Sequence, residues 1–254
     1  MNRRQADILE LLATRGELEV AAMARRFRVN QATVRRDFQY LEDEGHLVRS
    51  HGAAISSPAA LAQLAFVRKG QKNERQKRAI GRAVAAEIKP GMVVALDTGT
   101  TALEVARAIT NIPGIKVLTT SLPIAAVLHA QQNIEVILMG GTVRRNDPDL
   151  SGALTEENLR RFRSDIAVLG ADAAGKDGLF TTDMAIARTS QAMMSGARRR
   201  VVAVDATKFA ARGLFRYAPW DDVAAVYTDA SVTASDRAWL KKLAIEVRFV
   251  AKET

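Results

Sequence analysis

The sequence predicts an α/β chain in two parts: a small helical N-terminal domain closed by a β-hairpin, and a larger domain built on a parallel sheet. The prediction rests on length and on two kinds of periodicity. The chain has 254 residues, room for one large or two smaller domains at ~100–200 residues each. Apolar residues recur at helical spacing through residues 8–41, whereas from residue 92 short, continuously apolar runs alternate with helical patterns. With 48% hydrophobic and 26% charged residues, the composition is globular and excludes a disordered or collagen-like chain. The absence of cysteine excludes a disulfide framework, a thiolate metal site and a Cys nucleophile, and it fits a reducing compartment, with the cytoplasm as the simplest expectation. Arg3, Arg4 and Asp7 stand where a signal peptide would be apolar, and the longest uncharged run, residues 117–134, carries Thr, Ser, Pro, His, Gln and Asn. No membrane span is expected.

The net charge of +9 is unevenly placed. Residues 1–57 hold nine Arg against eight acids, whereas residues 58–82 hold seven Lys and Arg against one acid. A basic excess in a connecting segment suits contact with a polyanion, and equally suits a solvated helix face. Pro58 among Ser56, Ser57, Ala59 and Ala60 marks a linker start, and Lys89-Pro90-Gly91 a turn into differently patterned chain. The expected organisation is therefore residues 1–57 as one domain, 58–74 as a basic linker and 75–254 as the α/β domain.

In the N-terminal part, Ile8, Leu9 and Leu12 share one helical face, and Gly16 ends that helix before Glu17-Leu18-Glu19. Val20, Met23, Ala24 and Phe27 form a second stripe with Arg25, Arg26 and Arg28 outside it. After Arg28-Val29, Asn30 can cap a third helix with Val34, Phe38 and Leu41 inside, stopped by Gly45. Leu47-Val48 and Ala53-Ala54-Ile55 then flank Arg49-Ser50-His51-Gly52 as a hairpin. Three short helices and a hairpin are the parts of a winged helix-turn-helix. The third helix bears Asn30, Gln31, Thr33, Arg35 and Arg36 on its first turns, where side chains reach base edges in a major groove and Arg matches guanine bidentately. Arg49 and His51 on the wing would grip the flanking backbone. A helical packing module with merely solvated arginines fits the periodicity as well.

In the larger part, strands are predicted at 92–96, 116–119, 135–139, 166–169, 201–204 and 223–227. Continuously apolar strands between helices imply a parallel sheet covered on both faces, which binds ligands beyond its carboxyl ends. Polar clusters fall at those ends. Asp97-Thr98-Gly99-Thr100-Thr101 follows the first strand and opens a helix: a Gly for close backbone approach, hydroxyls beside it and free helix amides make a phosphate cradle, or an ordinary capped turn. Thr120 and Ser121 end the second strand, Gly141 and Arg144 follow the third, Asp172 the fourth and Lys208 the fifth. In such a ring, hydroxyls and carboxylates would take sugar OH groups while Arg144 or Lys208 paired with phosphate, and each residue taken singly also fits a surface turn.

Residues 30–38 (NQATVRRDF), 41–45 (LEDEG) and 47–53 (LVRSHGA) resemble the DeoR family of bacterial transcriptional regulators, and the resemblance runs on through residues 97–101, 140–144, Ser151-Gly152, Gly178-Leu179 and 205–209. It implies a DNA-reading head and a domain that binds a sugar phosphate, polyol phosphate or related metabolite, similar in fold to ribose-5-phosphate isomerase and the CoA transferases. It further implies a repressor of carbohydrate genes, homodimeric or homotetrameric, acting on repeated half-sites in double-stranded operator DNA, with the effector changing the relative placement of the heads. The family pattern has Ser at Asn30, Ile at Val34, Leu at Phe38 and Gly at Ala53. It often has Asn at Thr120 and a Glu-Ala pair at Ile186-Ala187, so the effector of another member does not transfer to this chain.

Other chemistry is excluded or set aside. Residues 170–177 fit the first seven positions of a Walker A motif, but Asp177 stands where a magnesium-binding hydroxyl belongs, so the segment reads as a loop. His46, His51 and His129 lack zinc-ligand spacing, and no Gly-x-Ser-x-Gly or Gly-x-Gly-x-x-Gly string occurs. No metal or cofactor is expected. An aldose-ketose isomerase is the rival reading, with Asp205 and Lys208 moving a proton on a bound sugar. The DNA-reading head argues against it.

Overall fold

The structure is a computed structural model that describes residues 1–50, 52–56 and 58–251. It divides into two units, Met1–Arg68 with Arg145–Asp147, and Lys69–Arg144 with Pro148–Thr254.

The first unit opens with α1 (Arg3–Arg15), whose cap is reciprocal: the Asn2 side chain accepts from Gln5 N at 3.0 Å, and the Gln5 side chain accepts from Asn2 N at 2.8 Å. Gly16 ends it, and β1 (Glu17–Glu19), α2 (Val20–Phe27) and α3 (Gln31–Asp43) follow. The turn between α2 and α3 is made by Arg28 in the left-handed conformation, φ 54°. β2 (Leu47–Ser50) and β3 (Ala53–Ser56) form the hairpin, and β1 pairs antiparallel with β3, so Glu17-Leu18-Glu19 is a third strand of the wing. Ile8, Leu12, Met23, Val34, Phe38, Leu41 and Leu47 meet in one core, each at most 2% exposed. Burying side chains of this kind contributes ~1.5–3 kcal/mol apiece. The expected linker is largely helical: α4 runs unbroken over Pro58–Gln71.

The second unit continues as α5 (Glu74–Ala85), β4 (Val93–Leu96), α6 (Thr100–Ala108), β5 (Ile115–Thr119), α7 (Leu122–His129) and β6 (Ile134–Leu138). Next come β7 (Thr142–Val143), β8 (Leu150–Ser151), α8 (Ala153–Arg161), β9 (Ser164–Leu169), β10 (Ala173–Gly175), β11 (Gly178–Thr181) and α9 (Met184–Ser195). The rest is β12 (Ala197–Ala203), β13 (Phe215–Ala218), β14 (Ala225–Asp229), α10 (Ala234–Leu240) and β15 (Glu246–Val250), with short 3-10 turns at Ala206–Phe209 and Trp220–Asp222. Seven strands form one parallel sheet in the order β15-β14-β12-β9-β4-β5-β6. The central strands are buried along nearly their whole length, as in a sheet covered on both faces. The winding reverses between β4 and β9: β5 and β6 lie on one side, and β9 returns to the other. Their carboxyl ends diverge there, which is where open α/β sheets hold ligands.

Two features differ from the sequence expectation. β15 is an additional edge strand in which Glu246 and Arg248 interrupt the apolar run, so it does not read as core. The Walker-like loop contains an antiparallel hairpin, β10 with β11, to which β13 adds a third strand. Its small residues, Ala173, Ala174 and Gly175, leave no periodicity to read.

Candidate functional site

The polar groups that sequence alone singles out occupy two places, one in each unit. In the first, α3 presents Gln31, Arg35 and Arg36 exposed on one side while Val34, Phe38 and Leu41 are buried on the other. Asn30 is the cap: its side-chain oxygen accepts from Thr33 N at 2.7 Å and from Thr33 Oγ1 at 2.8 Å. The Asn that replaces the family's Ser therefore keeps the capping function. Arg35 donates to Gln31 at 3.2 Å along the helix. Arg49 is tied to α3, donating through its backbone N and its Nε to the two Glu42 oxygens at 2.8 and 2.6 Å, so wing and helix are positioned together. These hydrogen bonds hold the Glu42 carboxyl below its ordinary pKa. His51 lies outside the described residues.

One residue that sequence reading missed fixes this helix from behind. Asp37 is 4% exposed and accepts from Arg4 at 2.5 and 3.2 Å and from Gln5 at 3.2 Å. It joins α1 to α3, and the bond raises the Arg4 pKa. Its partners lie more than thirty positions away, and no local pattern signals such a pair. Arg36 is exposed on the same helix, and replacing it by Ala is expected to weaken operator binding by ~1–3 kcal/mol and relax the sequence preference. Anisotropy titration at fixed salt measures this, and unchanged affinity removes Arg36 from the interface.

In the second unit, the carboxyl ends of β4 and β9 are bridged by Asp97. This carboxylate, 2% exposed, accepts from Thr98 N at 2.8 Å, Gly170 N at 3.1 Å and Ser190 Oγ at 3.4 Å. Burial pushes its pKa up to about 6 against the pull of the Gly170 and Thr98 amides, and the Asp149 charge adds to the rise. Gly99, at φ 110°, then turns the chain into α6, a conformation open to glycine. Leu103 N bonds back to Gly99 O and no side chain caps the helix, so the amides of the first turn, with the Thr100 and Thr101 hydroxyls beside them, form a positive helix end at the sheet's reversal point.

The remaining candidates lie at neighbouring strand ends. Asp172 accepts from Thr182 N at 2.9 Å and from the Thr181 and Thr182 hydroxyls at 3.0 Å. Burial pushes its pKa up, but these hydrogen bonds and the Lys208 charge prevail and hold it below its ordinary value. Tyr217, which sequence reading missed, donates to Gly170 O at 2.5 Å. Its hydroxyl is raised well above its ordinary pKa, first by burial and then by the charges of Asp97 and Asp172. Lys208 sits on the turn after β12, opened by buried Asp205, whose Oδ1 accepts from Thr207 N at 3.1 Å and Thr207 Oγ1 at 2.5 Å.

Three candidates are engaged internally. Arg144 donates to Asp149 at 2.5 and 2.8 Å and to Asp183 at 2.9 Å, with Asp149 wholly buried. Its charge is thus balanced by two carboxylates rather than offered singly to a phosphate. Ser121 caps α7 by accepting from Ile124 N at 3.4 Å. Gly141, at φ 121°, sits where a Cβ would lie 1.9 Å from Thr155 Oγ1, so its role is the turn itself. Thr120 is fully buried, and its hydroxyl has no hydrogen-bond partner. Ile186, where the family pattern has Glu, stands one turn before Ser190 on α9 and so shares the side of the helix that meets Asp97. Among the described residues, no group of three or more His, Cys, Asp or Glu side chains is placed to hold a metal ion, and no helix is long and apolar enough to cross a membrane.

Comparison with known proteins bears on both places. Residues 4–58 match the DeoR-like helix-turn-helix domain and residues 72–230 the DeoR C terminal sensor domain. The chain is 31% identical over 229 residues to the glycerol-3-phosphate regulon repressor of Escherichia coli (strain K12), covering 90% of each. It is 31% identical over 247 residues to the HTH-type transcriptional repressor CsqR of the same organism, covering 97% of this chain and 94% of the relative. Among solved structures, ribose 5-phosphate isomerase A of Methanocaldococcus jannaschii aligns with a TM-score of 0.41 at 21% identity, over 54% of this chain and 55% of the other. The translation initiation factor eIF-2B of Pyrococcus horikoshii OT3 aligns with 0.43 at 17% identity, over 89% and 95%. A head matched as a DeoR-like helix-turn-helix, followed by a matching sensor domain and near full-length likeness to named repressors, makes this chain a member of the DeoR family of transcriptional regulators.

Proposed function

We propose that this protein is a repressor that binds operator DNA through α3 and the wing and is controlled by a phosphorylated sugar or polyol held at the carboxyl ends of β4, β9 and β12. The observation that carries the effector assignment is the uncapped α6 terminus beside Asp97, at the reversal point of the sheet. Helix amides and a positive dipole end suit a phosphate, while Asp172 and Asp205 are acceptors for sugar hydroxyls and Lys208 supplies a second positive charge. The protein acts as a homodimer or homotetramer, because two linked heads multiply a modest single-site affinity. It binds its effector without turning it over.

The test is fluorescence anisotropy of the full chain on an operator duplex selected from a random pool, at fixed salt because phosphate contacts make affinity steeply salt-dependent. The titrated panel holds sugar and polyol phosphates, including glycerol 3-phosphate, the compound in the name of one relative. The expected result is that one phosphorylated compound shifts operator affinity and its dephosphorylated form does not. A panel that leaves affinity unchanged overturns the effector class, and conversion of the active compound to an isomer overturns the sensor reading in favour of an enzyme.

A further inference from the structure

α4 begins in the first unit and ends in the second, the division falling between Arg68 and Lys69. Its last turn is fastened within the second unit by side chains that belong to neither the helix-turn-helix nor the candidate pocket. Lys77, 5% exposed on α5, points its ammonium back at this turn and donates to Lys69 O and, at 2.6 Å, to Lys72 O. Asn73, between α4 and α5, adopts φ 57° and ψ 35° and donates from Nδ2 to Asp205 Oδ1 at 3.1 Å. Gly70 lies near Thr100, where an added Cβ would lie 3.8 Å from Thr100 Cγ2.

One part of the candidate effector site, the Asp205 to Lys208 turn, is therefore bonded to the segment that follows α4, and another, the first turn of α6, lies beside the end of α4. The joint between them is a non-glycine residue in left-handed backbone, held there by one long-range hydrogen bond. That conformation is strained for a residue with a Cβ, least for Asn, so it persists because its surroundings hold it. A phosphate drawn to the α6 terminus, or a sugar hydroxyl competing for Asp205, would act beside or on these fastenings.

We infer that Asn73 and Lys77 are coupling residues, which link occupancy of the sensor site to the DNA-binding head by seating the end of α4, without themselves touching effector or DNA. The inference rests on the placement of the effector site proposed above, but its test needs no effector. Coupling between two sites is reciprocal, so operator binding must be felt at the sensor site. Hydrogen exchange of the full chain, with and without the selected operator duplex, reads this directly. In the wild type, operator is expected to change exchange severalfold in peptides covering residues 98–104 and 204–210 as well as in α3. Asn73→Gly keeps the left-handed turn, which glycine adopts freely, and removes only the tie; it should retain protection in α3 and lose the change in the two sensor peptides. Lys77→Gln, which removes the charge, should act in the same direction. Lys116→Gln, which cuts the exposed Lys116–Glu135 ion pair elsewhere in the same unit, should leave the change intact.

A wild-type sensor domain indifferent to operator overturns the inference, as does an Asn73→Gly chain that responds like the wild type or a Lys116→Gln chain that loses the response equally. Failure of the effector panel with the exchange coupling present would remove the proposed ligand class and leave this relay standing, and the opposite pair of results would do the reverse.

Discussion

Replacing Gly141 by alanine is expected to destabilise the sensor domain by about 2–6 kcal/mol, adding the ~1–3 kcal/mol of a strained backbone to the ~1–3 kcal/mol of overpacking, and to abolish the effector response with it. The backbone at φ 121° lies where side chains are rarely tolerated, and the new Cβ would meet Thr155 Oγ1 at 1.9 Å and Ser151 O at 2.9 Å. Neither neighbour can retreat. Thr155 is fully buried and its hydroxyl donates to Gly140 O at 2.6 Å, while Ser151 belongs to β8, paired with β7 directly beside the turn. Gly140 supplies the control: it also has positive φ, but its Cβ would meet only Asn158 Nδ2 at 3.6 Å, so Gly140→Ala should cost strain alone, about 1 kcal/mol. Both tryptophans, Trp220 and Trp239, lie in the second unit, so urea unfolding followed by their fluorescence reports this domain alone. Equal stability of the two variants would mean that the turn after β6 does not have this shape.

How much of this could be read from the sequence depended on how local each determinant is. The helix-turn-helix core follows from one spacing rule, and Ile8, Leu12, Val34, Phe38 and Leu41 are the residues buried. The parallel sheet follows likewise from runs such as residues 166–169, apolar because both faces are covered. What sequence could not supply is the pairing of distant polar groups. Arg144 stands out as a cation at a strand end, but its charge is balanced by Asp149 five residues on and by Asp183 thirty-nine residues on. Asp97 stands out as the first residue of a polar cluster, yet its partner Ser190 is ninety-three positions away on a helix with no signal of its own. Lys77 read as one charge in a basic run, and only the fold turns its ammonium inward onto backbone carbonyls. Burial lowers its pKa, a cost that a solvated lysine in the same run does not carry.

Asp97→Asn is the substitution expected to separate the two halves of the protein's activity: operator binding retained, effector response lost. The carboxylate takes three donors on two oxygens, Thr98 N on one and Gly170 N with Ser190 Oγ on the other. An amide of the same shape has a single acceptor oxygen, so whichever way it turns, its NH2 faces a backbone N–H at a strand end, and the loops after β4 and β9 lose their common anchor. The same variant isolates a pH term whose sign is fixed by the burial. The folded-state pKa of about 6 lies above the ordinary 3.8, so between these values the unfolded chain has released a proton that the folded chain retains. The stability this group contributes is complete below pH ~4 and is lost as pH rises through 6, a change on the order of 3 kcal/mol. Asparagine does not titrate. The difference in unfolding free energy between wild type and Asp97→Asn should therefore fall, in the wild type's disfavour, from pH 4 to pH 7 and level off above it, as read by urea unfolding on tryptophan fluorescence. A difference that stays flat across that range would show that the carboxylate is not buried in charged form, and an Asp97→Asn chain that still answers the effector normally would show that the anchor between β4 and β9 is not what shapes the site.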